Sequence, residues 1–167
     1  DIQKEADTIN PDYLIVDTPG QIELFAYRQS GPFFVQNFEA EEKMNLFLFD
    51  GTMVSTPSNF VSLMLLSTSI RLRLGLPTVN VITKTDLIEE KLEQVLSWSG
   101  TESRLEADLA SEVNGDTFSL VSDMLTSINR NDFQQDLIPV SNATGDGMVN
   151  LQSALSRTIN LGEEIED

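Results

Sequence analysis

The stretch Tyr13-Leu14-Ile15-Val16-Asp17-Thr18-Pro19-Gly20-Gln21 decides the fold. Four apolar residues end in an aspartate, the chain turns on Pro-Gly, and a helical pattern follows. A parallel strand presents a carboxylate and a bare backbone N–H in this manner to a nucleotide's terminal phosphate and its magnesium. A second apolar run, Thr78-Val79-Asn80-Val81-Ile82, ends in Thr83-Lys84-Thr85-Asp86, which suits the reading of guanine. Together the two runs point to GTP. No Gly-x-x-x-x-Gly-Lys-Ser/Thr loop occurs in the 167 residues.

Working outward, four runs predict buried parallel strands: Tyr13–Val16, Leu46–Phe49, Thr78–Ile82 and Leu137–Val140. They are continuous rather than alternating, the pattern of strands covered on both faces. Helical patterns separate them. The expected fold is therefore α/β, a three-layer, mostly parallel sheet with helices on both sides. The length fits one domain, residues 1–167.

Local signals place the helices. The first begins near Gln21 and is expected to break at Ser30-Gly31-Pro32, with a second piece from Phe33 to about Glu39. Thr56 reads as an N-cap with Pro57 at the first helical position, and Gly75 and Pro77 stop that helix after Leu74. Its apolar band is wide. Phe60, Leu63, Met64, Ile70 and Leu74 make one face and Val61, Leu65 and Leu72 another, which fits a wedged helix or a subunit interface. From 87 to 131 the chain is acidic and helical, an insert that either caps the site or covers the sheet. A last helix from Gly147 to Leu161 carries Leu151, Leu155 and Ile159, ahead of an acidic tail at 162–167.

Charge narrows the partners. The formal net charge of -17, from 27 acidic and 10 basic residues, disfavours nucleic acid as a direct partner. It fits either a solvated acidic surface or a protein suited to high salt, where self-repulsion is screened. No run has the length of a membrane span. The absence of cysteine excludes disulfides and thiolate metal sites and is compatible with the cytoplasm.

Three loops carry the candidate chemistry. Asp17 would hold Mg2+, Gly20 would offer its N–H to the γ-phosphate, and Gln21 would orient the attacking water. Asp86 would accept two hydrogen bonds from guanine, while Lys84 lays its stem along the base and Thr83 ties neighbouring loops. The plainer reading makes Asp86 the N-cap of the next helix. In the third loop, Ser141-Asn142-Ala143-Thr144-Gly145, the N–H groups of Asn142 and Ala143 would meet the guanine carbonyl oxygen.

The run Asp17-Thr-Pro-Gly-Gln-Ile-Glu-Leu-Phe25, followed by Phe49-Asp50-Gly51, Thr83-Lys84-Thr85-Asp86 and Ser141, resembles the GPN-loop GTPases. The resemblance covers most of the chain and is weakest from Leu87 to Asn131. It implies a P-loop GTPase fold, a homodimer, magnesium-dependent GTP hydrolysis to GDP, and a role in RNA polymerase assembly. With the acidic composition it suggests a halophilic archaeal source. It also implies that the phosphate-binding loop and the Gly-Pro-Asn loop would precede Asp1, on a strand lying between the Tyr13 and Leu46 strands. The 167 residues alone are then expected to bind GTP weakly and to hydrolyse it hardly at all. Two rivals remain: a non-catalytic assembly module keeping the fold, and a GTPase of the translation or ribosome-assembly type.

Overall fold

A computed structural model describes residues 2–18, 20–100, 102–129 and 137–160. In chain order the elements are α1 (Ile2–Ile9), a short π-helix (Glu23–Tyr27), α2 (Ser30–Asn37), β1 (Asn45–Asp50) and α3 (Pro57–Leu74). There follow β2 (Thr78–Thr83), α4 (Glu89–Gly100), α5 (Glu102–Glu112), α6 (Gly115–Asn129), β3 (Leu137–Pro139) and α7 (Met148–Asn160).

The caps that frame α3 work as the sequence predicts. The Thr56 hydroxyl accepts from the Asn59 N–H at 3.3 Å, and Gly75 ends the helix in the left-handed region at φ 67°. A side-chain oxygen at the N-cap satisfies a donor the helix itself cannot, and glycine takes the left-handed turn without a Cβ penalty.

The three strands form one parallel sheet in the order β1-β2-β3. Phe47 and Phe49 on β1 stand level with Asn80 and Ile82 on β2 and face the Phe60, Met64 and Ile70 stripe of α3. The buried Ser67 hydroxyl donates to Asn80 Oδ1 at 2.6 Å, so this polar pair is satisfied inside the layer. On the opposite face, Val79, Val81 and Val140 pack under Leu151 and Leu155 of α7. Helix, sheet and helix make the three layers expected. Burying a side chain as fully as Phe49 contributes about 1.5–3 kcal/mol.

Two strand expectations change. Tyr13–Val16 lies outside the sheet without regular structure, with Tyr13 74% and Ile15 88% exposed, and is no strand. An apolar run becomes a strand only where a neighbour takes its N–H and C=O groups, and among the described residues the ladder ends at β1. At this edge of the sheet β1 is buried on one face only: Leu48, beside Val81, is 60% exposed.

The expected break at Ser30-Gly31-Pro32 moves upstream to Arg28–Gln29, and those three residues instead open α2. Proline is tolerated in a first helical turn, whose N–H groups lack helical partners anyway. Gly31 is fixed by packing, since a Cβ there would lie 2.1 Å from the Phe25 carbonyl oxygen. The π-helix is tied to α3 by Arg73, whose Nε and Nη2 donate to the carbonyls of Ala26 and Tyr27, and by a 2.6 Å Tyr27–Ser69 hydroxyl pair.

The insert acts as an outer layer. α5 packs on α3, α4 packs on α5, and Trp98 stacks obliquely on Phe60 at 5.7 Å. This contact uses up much of α3's wide apolar band, while Leu72 stays exposed. The last residues of the insert, 130–131, and the tail 162–167 lie outside the described residues. No helix among the described residues is long and apolar enough to cross a membrane.

Candidate functional site

The carboxyl ends of the three strands bring their loops together. Asp50 and Thr83 are level partners in the β1–β2 ladder, and the Val140 N–H donates to the Ile82 carbonyl at 2.9 Å. Ser141 therefore follows β3 directly beside the residues that follow β2.

On the β1 side, the Thr83 hydroxyl donates to the Phe49 carbonyl at 3.1 Å, tying the end of β2 to β1. Gly51 lies so close that a Cβ would sit 2.6 Å from the Thr83 carbonyl oxygen. Asp50 is held at both oxygens. Oδ1 accepts from the Thr52 N–H at 3.0 Å and the Thr52 hydroxyl at 2.7 Å, while Oδ2 meets Lys84 Nζ at 2.6 Å. The Lys84 hydrogen bond, then the Thr52 hydroxyl, holds the Asp50 carboxyl below the usual carboxylate range. Lys84 itself adopts the left-handed region at φ 57°, uncommon for a residue with a side chain and typical of functional loops.

On the β3 side, the buried Ser141 hydroxyl donates to Asp86 Oδ1 at 2.6 Å and accepts the Thr144 N–H at 3.2 Å. The Thr85 N–H reaches the Val140 carbonyl at 3.4 Å. Ser141 also closes its own turn, its N–H donating to the Asp146 carbonyl and its carbonyl accepting from the Gly145 N–H. Gly147, at φ 79°, lets the chain enter α7; a Cβ there would lie 1.9 Å from the Pro139 carbonyl oxygen. Asn142 and Ala143 sit exposed on this turn.

Asp86 lies inside a 3₁₀ turn, Thr85–Leu87, and binds Ser141, so the N-cap reading of its side chain does not hold. An open cleft of about 480 Å³ runs beside it, bounded by Gly51, Thr52, Val54, Leu87 and Ile88.

Thr83, Lys84, Asp86 and Ser141 thus gather in one cluster at the strand ends, Thr83 bonded to Phe49, Lys84 to Asp50 and Ser141 to Asp86. Asp17, Gly20 and Gln21 lie outside it, on an exposed stretch where Asp17 makes no hydrogen bond or ion pair among the described residues. Nothing lies within 4 Å of a Cβ built on Gly20, so the space about it leaves its approach open. Gln21 is exposed and its carbonyl accepts the Leu24 N–H as the helical turn opens. The described residues hold no group of three or more acidic side chains able to bind a metal alone. A single free carboxylate such as Asp17 fits magnesium, which takes one or two carboxylates and completes its shell with phosphate oxygens and water.

Sequence reading assigned no role to Asp50, Gly51 or Thr52. The signal was available: Phe49-Asp50-Gly51 again sets an aspartate ahead of a glycine, as Asp17 and Gly20 do, and here at the tip of a strand.

Residues 1–161 match the model of a family described as "Conserved hypothetical ATP binding protein". GPN-loop GTPase 1 of Saccharomyces cerevisiae is 28% identical over 155 residues, 87% of this chain and 40% of that protein. GPN-loop GTPase QQT2 of Arabidopsis thaliana is 32% identical over 150 residues, 88% of this chain and 38% of that protein. The chain thus spans about 40% of the length of these relatives. A solved GTPase from Pyrococcus abyssi, in its apo form, superposes with a TM-score of 0.79 at 20% identity, covering 94% of this chain and 63% of the other. The match over nearly all its residues shows that the chain belongs to this family, that of the GPN-loop GTPases.

Proposed function

We propose that the protein carrying this sequence binds GTP and transfers its γ-phosphoryl group to water, giving GDP and phosphate. The observation that carries the reading is the Ser141–Asp86 hydrogen bond. It takes one lone pair of one carboxylate oxygen and leaves Oδ2 and the rest of Oδ1 for a ligand. Guanine offers N1–H and its exocyclic amine side by side, two donors for one carboxylate. Adenine presents an unprotonated N1 there, which a carboxylate repels. The base-side loops thus favour guanine over the adenine of the family's description.

Lys84 lays its stem on the purine, and Asn142 and Ala143 direct their N–H groups at the guanine carbonyl oxygen. Asp17 would hold magnesium, which neutralises charge on the β- and γ-phosphates. Gly20 donates its N–H to the γ-phosphate, and Gln21 orients the water. These 167 residues contain no phosphate-cradling glycine-lysine loop, so turnover by this stretch alone is expected to be slight. A homodimer assisting the assembly of a protein complex such as RNA polymerase is the setting that the resemblance supports, and the cysteine-free sequence is compatible with the cytoplasm.

The test compares turnover and binding of GTP and ATP by the full protein and by Asp86→Asn. The wild type is expected to prefer GTP. Asn keeps an acceptor for N1–H but turns a donor on the exocyclic amine, so the variant should lose guanine and gain xanthine, whose C2 carries oxygen. Equal use of ATP and GTP by the wild type sinks the base assignment. Guanine binding without turnover would favour the assembly-module reading.

A further inference from the structure

Lys84 Nζ meets Asp50, a carboxylate from the neighbouring strand tip, at 2.6 Å. A second carboxylate, the proposed guanine acceptor Asp86, follows Lys84 two residues along the chain. We propose that Asp50 is a positioning residue for base recognition: by holding the Lys84 ammonium, it keeps Asp86 free to accept guanine. The inference rests on the GTP reading and deepens it.

An exposed ion pair carries little energy by default, and this one has Lys84 54% and Asp50 30% exposed. Its surroundings set it apart. Asp50 does not reach out to a passing lysine, because Thr52 fixes its other oxygen through two hydrogen bonds before Lys84 is met. The β1 loop cannot drift, because Gly51 abuts the Thr83 carbonyl and the Thr83 hydroxyl clasps the Phe49 carbonyl. Lys84 is committed from its own side too, its backbone held in the left-handed region that sets the direction of its stem. The carboxylate and the ammonium are each placed by the fold, and their 2.6 Å contact follows.

The chemical consequence concerns the purine. An ammonium on a flexible four-carbon stem pairs with whichever carboxylate is in reach. With Asp50 present, Nζ is anchored and the methylene stem is drawn across the strand tips, where a base plane can lie on it. Without Asp50, the ammonium is released beside Asp86. An Asp86 paired with lysine has fewer lone pairs for guanine and less charge to offer, so both affinity and discrimination against adenine fall.

The test is a double-mutant cycle in the full protein, read by equilibrium binding of fluorescent GDP and ADP, with a thermal melt for each variant. Asp50→Asn is expected to weaken GDP about tenfold and leave ADP little changed. Asp50→Asn combined with Lys84→Met is expected to bind GDP no worse than Lys84→Met alone, because the ammonium that would occupy Asp86 is gone. A merely structural role for Asp50 would lower both nucleotides together and add its loss to that of Lys84→Met; either result overturns the proposal. So does GDP binding by Asp50→Asn at wild-type strength. If Asp50→Asn does not fold, Asp50→Glu takes its place. It should bind GDP within about threefold of wild type, and a loss as large as that of Lys84→Met overturns the proposal. A wild type that binds ADP as well as GDP removes the function reading and this inference together, whereas guanine preference with an indifferent Asp50 removes only the inference.

Discussion

Ser141 donates its hydroxyl hydrogen to Asp86 at 2.6 Å, across 55 residues of sequence. The serine is buried at the end of β3 and the aspartate sits half-buried after β2, so the bond fixes one loop against the other. Hydrogen bonds to ionised groups contribute about 1.5–3 kcal/mol, more than neutral ones. Ser141→Ala is therefore expected to lower stability by roughly 1–2 kcal/mol and to reduce the preference for guanine over adenine. Denaturant titration measures the first and competition binding the second. Unchanged preference would mean Asp86 is positioned by its own turn.

Gly147 offers a test of the loop's backbone. Its φ of 79° and the Pro139 carbonyl, 1.9 Å from where a Cβ would sit, both oppose any side chain. Gly147→Ala should cost roughly 1–3 kcal/mol or more, since β3 and α7 must part to admit the methyl. Equilibrium unfolding reads the loss. Gly100→Ala, with nothing within 4 Å, is the matched control and should be neutral or stabilising.

Glu112 on α5 makes stability depend on acid. Its carboxylate accepts the Ser58 N–H at 3.0 Å in the first turn of α3, and that hydrogen bond, in the first instance, holds its pKa below the usual 4.5. A carboxyl whose folded pKa is depressed contributes stability above its unfolded pKa and loses it as pH falls through the folded one. Glu112→Gln is thus expected to melt below wild type at pH 7, with the gap closing as pH drops beneath 4.5. Parallel melting curves between pH 3 and 7 would contradict the contact.

Trp98 is the sole tryptophan and reports on how the insert is seated. Its ring packs on Phe60, and its Nε1–H donates to Asp108 Oδ2 at 2.7 Å. Trp98→Ala should remove about 3–5 kcal/mol, and Trp98→Phe, which keeps most of the apolar volume, about 1 kcal/mol. In the wild type, denaturant should shift Trp98 emission to the red in step with loss of helix. An earlier fluorescence transition would mean that α4 and α5 detach first.

Magnesium dependence tests the phosphate side independently of the base. Removing Mg2+ with a chelator, or changing Asp17→Asn, should reduce GTP turnover at least tenfold while GDP binding falls much less. Turnover that survives both would exclude Asp17 as the metal's carboxylate.

The sequence revealed most where the deciding physics is local. Thr56, Pro57 and Gly75 each act on their immediate neighbours, and α3 begins and ends where they indicate. That Thr83, Lys84, Asp86 and Ser141 share one edge was legible because strand tips in a parallel sheet gather there. What escaped depends on distant neighbours. Leu48 and Ile15 have the chemistry of buried strand residues, yet burial is decided by what covers them. Asp50 looked like the end of a strand, and its meaning lies in Lys84, 34 residues further on. The break at Ser30-Gly31-Pro32 went astray because proline stops a helix at most positions but starts one well.

The six-pair ladder between β1 and β2 has an electrostatic side. Phe47 and Phe49 point into the core only in the observed alignment, and that same alignment sets Asp50 level with Thr83. Sliding β1 by a single residue would turn both rings toward solvent and carry the carboxylate about 3.3 Å along the strand, away from Lys84. Two greasy rings therefore act as the ruler by which a charge is delivered. Mutations that loosen the hydrophobic layer beneath β1 should blur nucleotide choice before they unfold the protein.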